Sequence, residues 1–223
     1  SQSIGVEPIM SDSKTTEELF FDKSEMNSSS VQKLLSNTLR HTDDGELFFE
    51  YEQSESFVFD DGVLRSANFD TNQGFGLRAI HDQTIAYAHS SELTEKAIKR
   101  AATTVNSVKS GHEGTNNDEI AKTNQKLYCE DNPLDSIPFS KKVKVLENID
   151  KFVRDLDNRV KQVTASLAGS WQAVRIMRAN GSEASDIRPL VRLNISCVVG
   201  DNNKMESGSY GAGGRETYEN FLT

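Results

Sequence analysis

Hydrolytic, redox or metal chemistry would have to come from a few residues in this 223-residue chain, which has four histidines and two cysteines. His41, His81, His89 and His112 stand far apart, and none lies four residues from another on a helical stretch. His112-Glu113 has no second histidine after it, so the helical zinc pattern of metallopeptidases is absent. No metal site is therefore expected in the chain itself. Cys129 and Cys197 are isolated, without Cys-x-x-Cys spacing, and do not suggest a disulfide framework. A Gly-x-Ser-x-Gly elbow, a phosphate-binding loop and a dinucleotide fingerprint are all missing.

What remains is the glycine-rich run Gly208–Arg215, with sequence GSYGAGGR. Successive glycines expose backbone N–H groups that can bind an anion or pair with an extended peptide, and Arg215 adds a partner for a carboxylate. Gly211, Gly213, Gly214, Arg215 and the upstream Arg188 are accordingly the candidate substrate-binding residues. A flexible connector explains the same composition. Arg188 and Arg192 fall on one side of an expected strand, where solvated edge charge is the plain alternative.

The elements that must position this run are read from periodicity. Leu47, Phe49, Tyr51, Phe57 and Phe59 share odd positions, as a long half-buried strand requires. Asp61-Gly62 is a two-residue hairpin signal. A further reversal is expected at Asp70-Thr71-Asn72, which would divide Ser54–Ile80 among three strands. Gly74 and Gly76 leave one face of the third nearly bare, open to another backbone or a ligand. Thr84–His89 is a fourth strand. Helices are expected around Thr16–Lys23, over Val31–Arg40 with Ser30 as N-cap and Leu34, Leu35 and Leu39 buried, and from Ser91 onward with Leu93, Ala97, Ile98, Ala101, Val105 and Val108 inward. A second set follows. Ser140 opens a helix whose stripe is Val145, Leu146, Ile149, Phe152, Val153 and Leu156, and strands are expected at Val160–Gly169, Trp171–Arg178 and Ile187–Val199, with an Asn180-Gly181 hairpin and a turn at Asp201-Asn202-Asn203.

The fold class is α+β, mostly antiparallel sheets with flanking helices in two similar helix-plus-meander units. The expected division is a mobile segment 1–12, an α+β unit 13–109, a linker or long loop 110–138, and a second α+β unit 139–223. Net charge is −9, and residues 1–60 carry all of it, which argues against a nucleic-acid surface. No run approaches the roughly 20 apolar residues of a membrane span, and the N-terminus lacks a basic region followed by an apolar one. A cytoplasmic protein that engages no membrane is the expectation.

Four segments, SESFVFDDGVLRSANFDTNQGFGLRAI, VTASLAG, DIRPLVRLNISCVV and ESGSYGAGGRETYENFL, together resemble the TldD/PmbA family, proteins named as modulators of DNA gyrase and as metalloproteases. The last two look more like the TldD member than its PmbA (TldE) counterpart. Ala212 interrupts a run that is usually all glycine. The resemblance implies a zinc peptidase that pairs with a TldE subunit and cleaves unstructured peptides. Its metal would sit on a His-Glu-x-x-x-His helix, with a cysteine ligand, beyond Thr223. On this reading the chain is the non-catalytic N-terminal portion, continuing into a C-terminal domain, and shapes substrate access and subunit contacts. Two alternatives stay open: a stand-alone module that recognises extended peptides along Ile187–Val199 or Gly208–Arg215, and a scaffold whose apolar strands pack against further protein.

Overall fold

In a computed structural model the chain is described over residues 12–107 and 128–223, and the expected mobile segment and most of the expected linker lie outside these. Six antiparallel strands form one sheet: β1 Asp44–Asp60, β2 Val63–His81, β3 Thr84–Ser90, β4 Val160–Arg178, β5 Glu183–Asp201 and β6 Lys204–Gly214, in the order β3-β2-β1-β4-β5-β6. Among the described residues five α-helices accompany them: α1 Asp12–Glu17, α2 Ser28–Thr38, α3 Glu95–Asn106, α4 Phe139–Leu156 and α5 Tyr218–Phe221. Each three-strand meander follows a helix, α2 before β1 and α4 before β4, so the α+β class with two helix-plus-meander units is what forms.

Turn chemistry sets the hairpins. Asp61 (φ 48°) and Gly62 (φ 77°) make the expected type I′ turn, and Asn202 (φ 43°) with Asn203 (φ 74°) makes another. At Asn180-Gly181 only Gly181 has positive φ, 86°. The Arg178 carbonyl accepts from Gly181 N–H at 3.0 Å, while Arg178 N–H donates to Ser182 at 3.0 Å. That is a three-residue loop with glycine in the left-handed position rather than a type I′ turn.

Three expected breaks are absent. The chain does not reverse at Asp70-Thr71-Asn72; β2 is one strand of 19 residues, wholly exposed from Ala67 to Gln73. A polar stretch reads as a turn, but here it is strand with neither face covered. Likewise β4 runs unbroken through Gly169-Ser170, and the glycine-rich run is strand β6 rather than a loop.

Packing divides the described residues into two compact units, each assembled from three separate stretches. One comprises 12–51, 72–107 and 173–187. In its core Phe20 stacks on Phe49 at 5.4 Å and Phe21 meets the same ring edge-on at 5.6 Å, with Val31, Leu35 and Leu39 of the α2 region, and Ala97, Ile98, Ala101 and Val105 of α3, buried. Leu34 is only half-buried. The caps are Asn27, which accepts from Ser30 N–H at 3.0 Å, and Thr94, which accepts from Ala97 N–H at 3.1 Å, in place of Ser30 and Ser91. Buried Arg175 pairs with Glu17 at 2.6 Å and with Glu183. Gly76 is not bare: a Cβ there would lie 2.3 Å from the Phe48 ring and 2.7 Å from the Tyr87 hydroxyl, and these two rings stack at 6.3 Å. A neighbouring strand's aromatic has filled the space that the glycine leaves.

The other unit comprises 52–71, 128–172 and 188–223. Its core holds Phe57, Phe59, Ala165, Leu167 and Val191 from the strands under Leu146 of α4 and Tyr218 of α5. The expected stripe of α4 is buried only in part: Leu146 is in the core and Ile149 packs against it. Lys142, Leu146 and Asp150, one turn apart, point inward, while Phe152 and Leu156 are exposed. Lys142 can be buried because its ammonium is satisfied: it donates to Glu55 at 2.6 Å and to the Leu134 carbonyl at 2.6 Å, and lies 5.0 Å from the Tyr218 ring centre.

Candidate functional site

Among the described residues, the second unit has an open sheet face and an unpaired edge. In register, Val191 pairs with Gly214, Arg192 with Gly213, Leu193 with Ala212 and Asn194 with Gly211. Register partners point to the same side. Val191 is in the core, so Gly214 and Ala212 share the helix-covered side, while Gly211 and Gly213 lie opposite with Arg192 and Asn194.

On that opposite side two adjoining cavities meet at Leu190 and Arg192. One, of about 310 Å³, is lined by the short side chains of Ser54 and Ser56 on β1 and of Ala168 and Ser170 on β4, together with Asn68 and Asp70 of β2. The other, of about 260 Å³, lies over Gly211, Ala212 and Gly213. Leu190 is 43% exposed. Arg192 donates from Nε to Asn194 Oδ1 at 3.3 Å.

Strand β6 is the sheet edge, and Lys204–Gly211 are exposed without interruption. Natural edges are guarded by charge, proline or bulges, because a free row of N–H and C=O groups pairs with any extended chain. From Ser207 to Gly214 β6 has neither charge nor proline. A Cβ added at Gly208 would touch no described atom within 4 Å, whereas one at Gly213 would sit 2.8 Å from the Val191 carbonyl. Gly213 is thus required by the close passage of β5, and Gly208 is free.

The five residues singled out from sequence fall in different places. Gly211 and Gly213 border the smaller cavity, and Gly214 lies on the other side. Arg215 places its guanidinium 5.2 Å from the Tyr128 ring centre, a cation–π contact that gives it a structural partner. Arg188 is half-buried, engaged by other groups, and lines neither cavity. Sequence reasoning treated Arg192 as edge charge and missed Leu190 and the serine and alanine floor. The signal for the floor was present as Ser54-x-Ser56 and Ala168-x-Ser170, two period-two pairs of small residues.

A third cavity in the same unit, of about 540 Å³, is lined by Phe69, Asp70, Thr71, Asp135 and Phe139 and floored by the Glu55–Lys142 pair. The ammonium's partners identify it as a strut joining β1, the turn Pro133–Asp135 and α4, not as a nucleophile. Beside it, burial and the neighbouring Glu55 carboxylate push the Tyr218 hydroxyl well above the ordinary phenol range, although that hydroxyl meets hydrogen-bond geometry with no described group. Among the described residues no three of His, Cys, Asp and Glu converge as metal ligands. No helix among them is long and apolar enough to cross a membrane.

Comparison with known proteins completes the picture. Residues 45–105 match the profile described as PmbA/TldA metallopeptidase domain 1, and residues 132–222 that of the PmbA/TldA metallopeptidase central domain. The metalloprotease TldD homolog of Haemophilus influenzae is 35% identical over 179 residues, 79% of this chain and 37% of the relative. Its counterpart in Buchnera aphidicola subsp. Schizaphis graminum is 28% identical over 208 residues, 92% and 43% respectively. Among solved structures, a putative modulator of DNA gyrase from Bacteroides thetaiotaomicron aligns with a TM-score of 0.63 at 13% identity, over 86% of this chain and 46% of that one. TldE from Thermococcus kodakarensis aligns at 0.62 and 13% identity, over 84% and 42%. At such identities these structures bear on fold alone. The chain spans less than half the length of the relatives it matches. By two successive domain profiles and by these relatives, the chain belongs to the PmbA/TldD metallopeptidase family.

Proposed function

We propose that this chain forms the first and central domains of a TldD-like zinc metalloprotease that works in the cytoplasm with a TldE-like partner subunit. Its part is to receive unstructured peptide, and the metal and the hydrolytic groups belong to protein outside this chain. The observation that carries this reading is β6: a sheet edge exposed from Lys204 to Gly211, uncharged from Ser207 to Gly214, bordered by a groove of short side chains. An unguarded edge of that kind accepts an extended chain through main-chain hydrogen bonds, which recognise a lack of structure rather than a sequence. The relatives named metalloprotease TldD homolog support the protease half of the reading.

The test is binding of a labelled, unstructured ten-residue peptide to the chain, alongside the same peptide N-methylated at alternate residues. Saturable binding that methylation abolishes, with slowed amide exchange over 207–214, is expected; equal binding by both peptides overturns strand addition. For the protease half, the full reading frame co-expressed with its TldE-like subunit should cleave an unfolded polypeptide, lose that activity to a chelator and regain it with zinc.

A second reading, a scaffold that packs against further protein, is favoured by Phe152 and Leu156, which stand 64% and 67% exposed one turn apart on α4. It differs in expecting no peptide binding at β6.

A further inference from the structure

Strand addition at β6 leaves open what side chains the added peptide should carry. Resting on that reading, we propose that the adjoining cavities around Leu190, Arg192, Gly211 and Gly213 are a side-chain pocket for a glutamate of the added peptide.

Strand β6 lacks side chains over this pocket. Gly213 and Gly211 are the register partners of Arg192 and Asn194 on one side of the sheet, so β6 places no side chain there between Arg192 and the outer edge. Adjacent strands are about 4.8 Å apart, and a peptide added at the edge lies two such spacings from β5. An arginine crosses the first spacing over the glycine backbone, and an acidic side chain directed inward covers the second. A larger residue at either glycine would stand in that path.

Arg192 is also poised for this contact. It lines both cavities, is exposed, and its described hydrogen bond is the one from Nε to Asn194 Oδ1 at 3.3 Å. That bond steadies the planar head and leaves both Nη groups to face a carboxylate side by side. No described carboxylate pairs with it. Leu190, two residues along the same side, gives an apolar wall for methylene groups, which favours glutamate over aspartate. Asp70 borders the larger cavity, so the acid belongs at the Gly213 end, over the smaller cavity, whose lining has no acidic residue. No acidic residue occurs in 187–200 of β5 or in 207–214 of β6, the stretches that flank the pocket.

The measurement is fluorescence anisotropy of the chain with two labelled unstructured peptides, serine alternating with glutamate in one and with glutamine in the other. The glutamate peptide should bind about fivefold more tightly at low salt, the upper end for a solvent-exposed ion pair, and lose that advantage as salt is added. Arg192→Gln should bring the glutamate and glutamine peptides to equal affinity. Lys204→Gln, which removes a positive charge from the far end of the same strand, should preserve the preference. A preference that survives Arg192→Gln, or is absent from the unaltered chain while both peptides still bind, overturns the pocket and leaves strand addition standing. If neither peptide binds, both fail.

Discussion

Two glycine-bearing strands, β2 and β6, put the same kind of gap into a sheet and resolve it in opposite ways. In β2 the gap at Gly76 is filled by the Phe48 ring, itself stacked on Tyr87. In β6 no ring enters: Gly208 has open space around it, and Gly211 and Gly213 border a cavity, with only the Asn194 amide oxygen near, 3.0 Å from a Cβ built at Gly211. Gly169 in β4 resembles the first case, since a Cβ there would lie 2.3 Å from the hydroxyl of fully buried Tyr218. A strand glycine therefore asks for room, and the adjacent elements decide who takes it. Interior strands have neighbours with large side chains to spare. An edge strand has a neighbour on one side only, so its glycines stay available to a molecule from outside.

The comparison can be broken first at the group that props the filled gap. Lys142 lies 5.0 Å from the Tyr218 ring centre and neutralises Glu55. Lys142→Ala leaves a carboxylate buried and unpaired, and should cost about 3–5 kcal/mol in urea unfolding. Next in size, Gly169→Ala forces a methyl against a ring with nowhere to move, for about 1–3 kcal/mol, and Gly76→Ala should cost less because half-exposed Tyr87 can yield. A Gly76→Ala chain as stable as the original would show that Phe48 merely drapes over the glycine. The smallest effect is expected at Gly208→Ala, within about 0.5 kcal/mol of zero. A large loss there would mean that β6 is covered in solution, and the contrast with β2 would fall.

These differences mark the limit of what sequence could tell. The hairpins at Asp61-Gly62 and Asn202-Asn203 were legible because a type I′ turn imposes its own residue requirements. The continuity of β2 through Asp70-Thr71-Asn72 was not, because a strand exposed on both sides has no apolar alternation to report. Gly169-Ser170 read as a break since the ring that occupies its space comes from Tyr218, 49 positions downstream in the same chain. The inward face of α4 was masked by Lys142 and Asp150, charges that a hydrophobic stripe assigns to solvent. A clue existed in Glu55, which shares the odd positions of Leu47, Phe49, Phe57 and Phe59 and so had to be buried with a cation. For the site, Gly211 and Gly213 were legible as residues that leave backbone bare. Arg192 was not, because its meaning depends on which β6 residues sit beside it, and register is a property of the pair of strands.

The long strands have one more consequence. Because each compact unit draws on three separated stretches of chain, neither is a contiguous segment that could be cut free. Ending the chain in the 108–127 region would strip 173–187 from one unit and leave only 52–71 of the other. Contacts so distant in sequence close late and at an entropic cost, so the two units are expected to fold slowly and to appear together rather than in succession during synthesis. A protease that trimmed one unit would also remove stretches of the other, which ties the quality control of the two cores together.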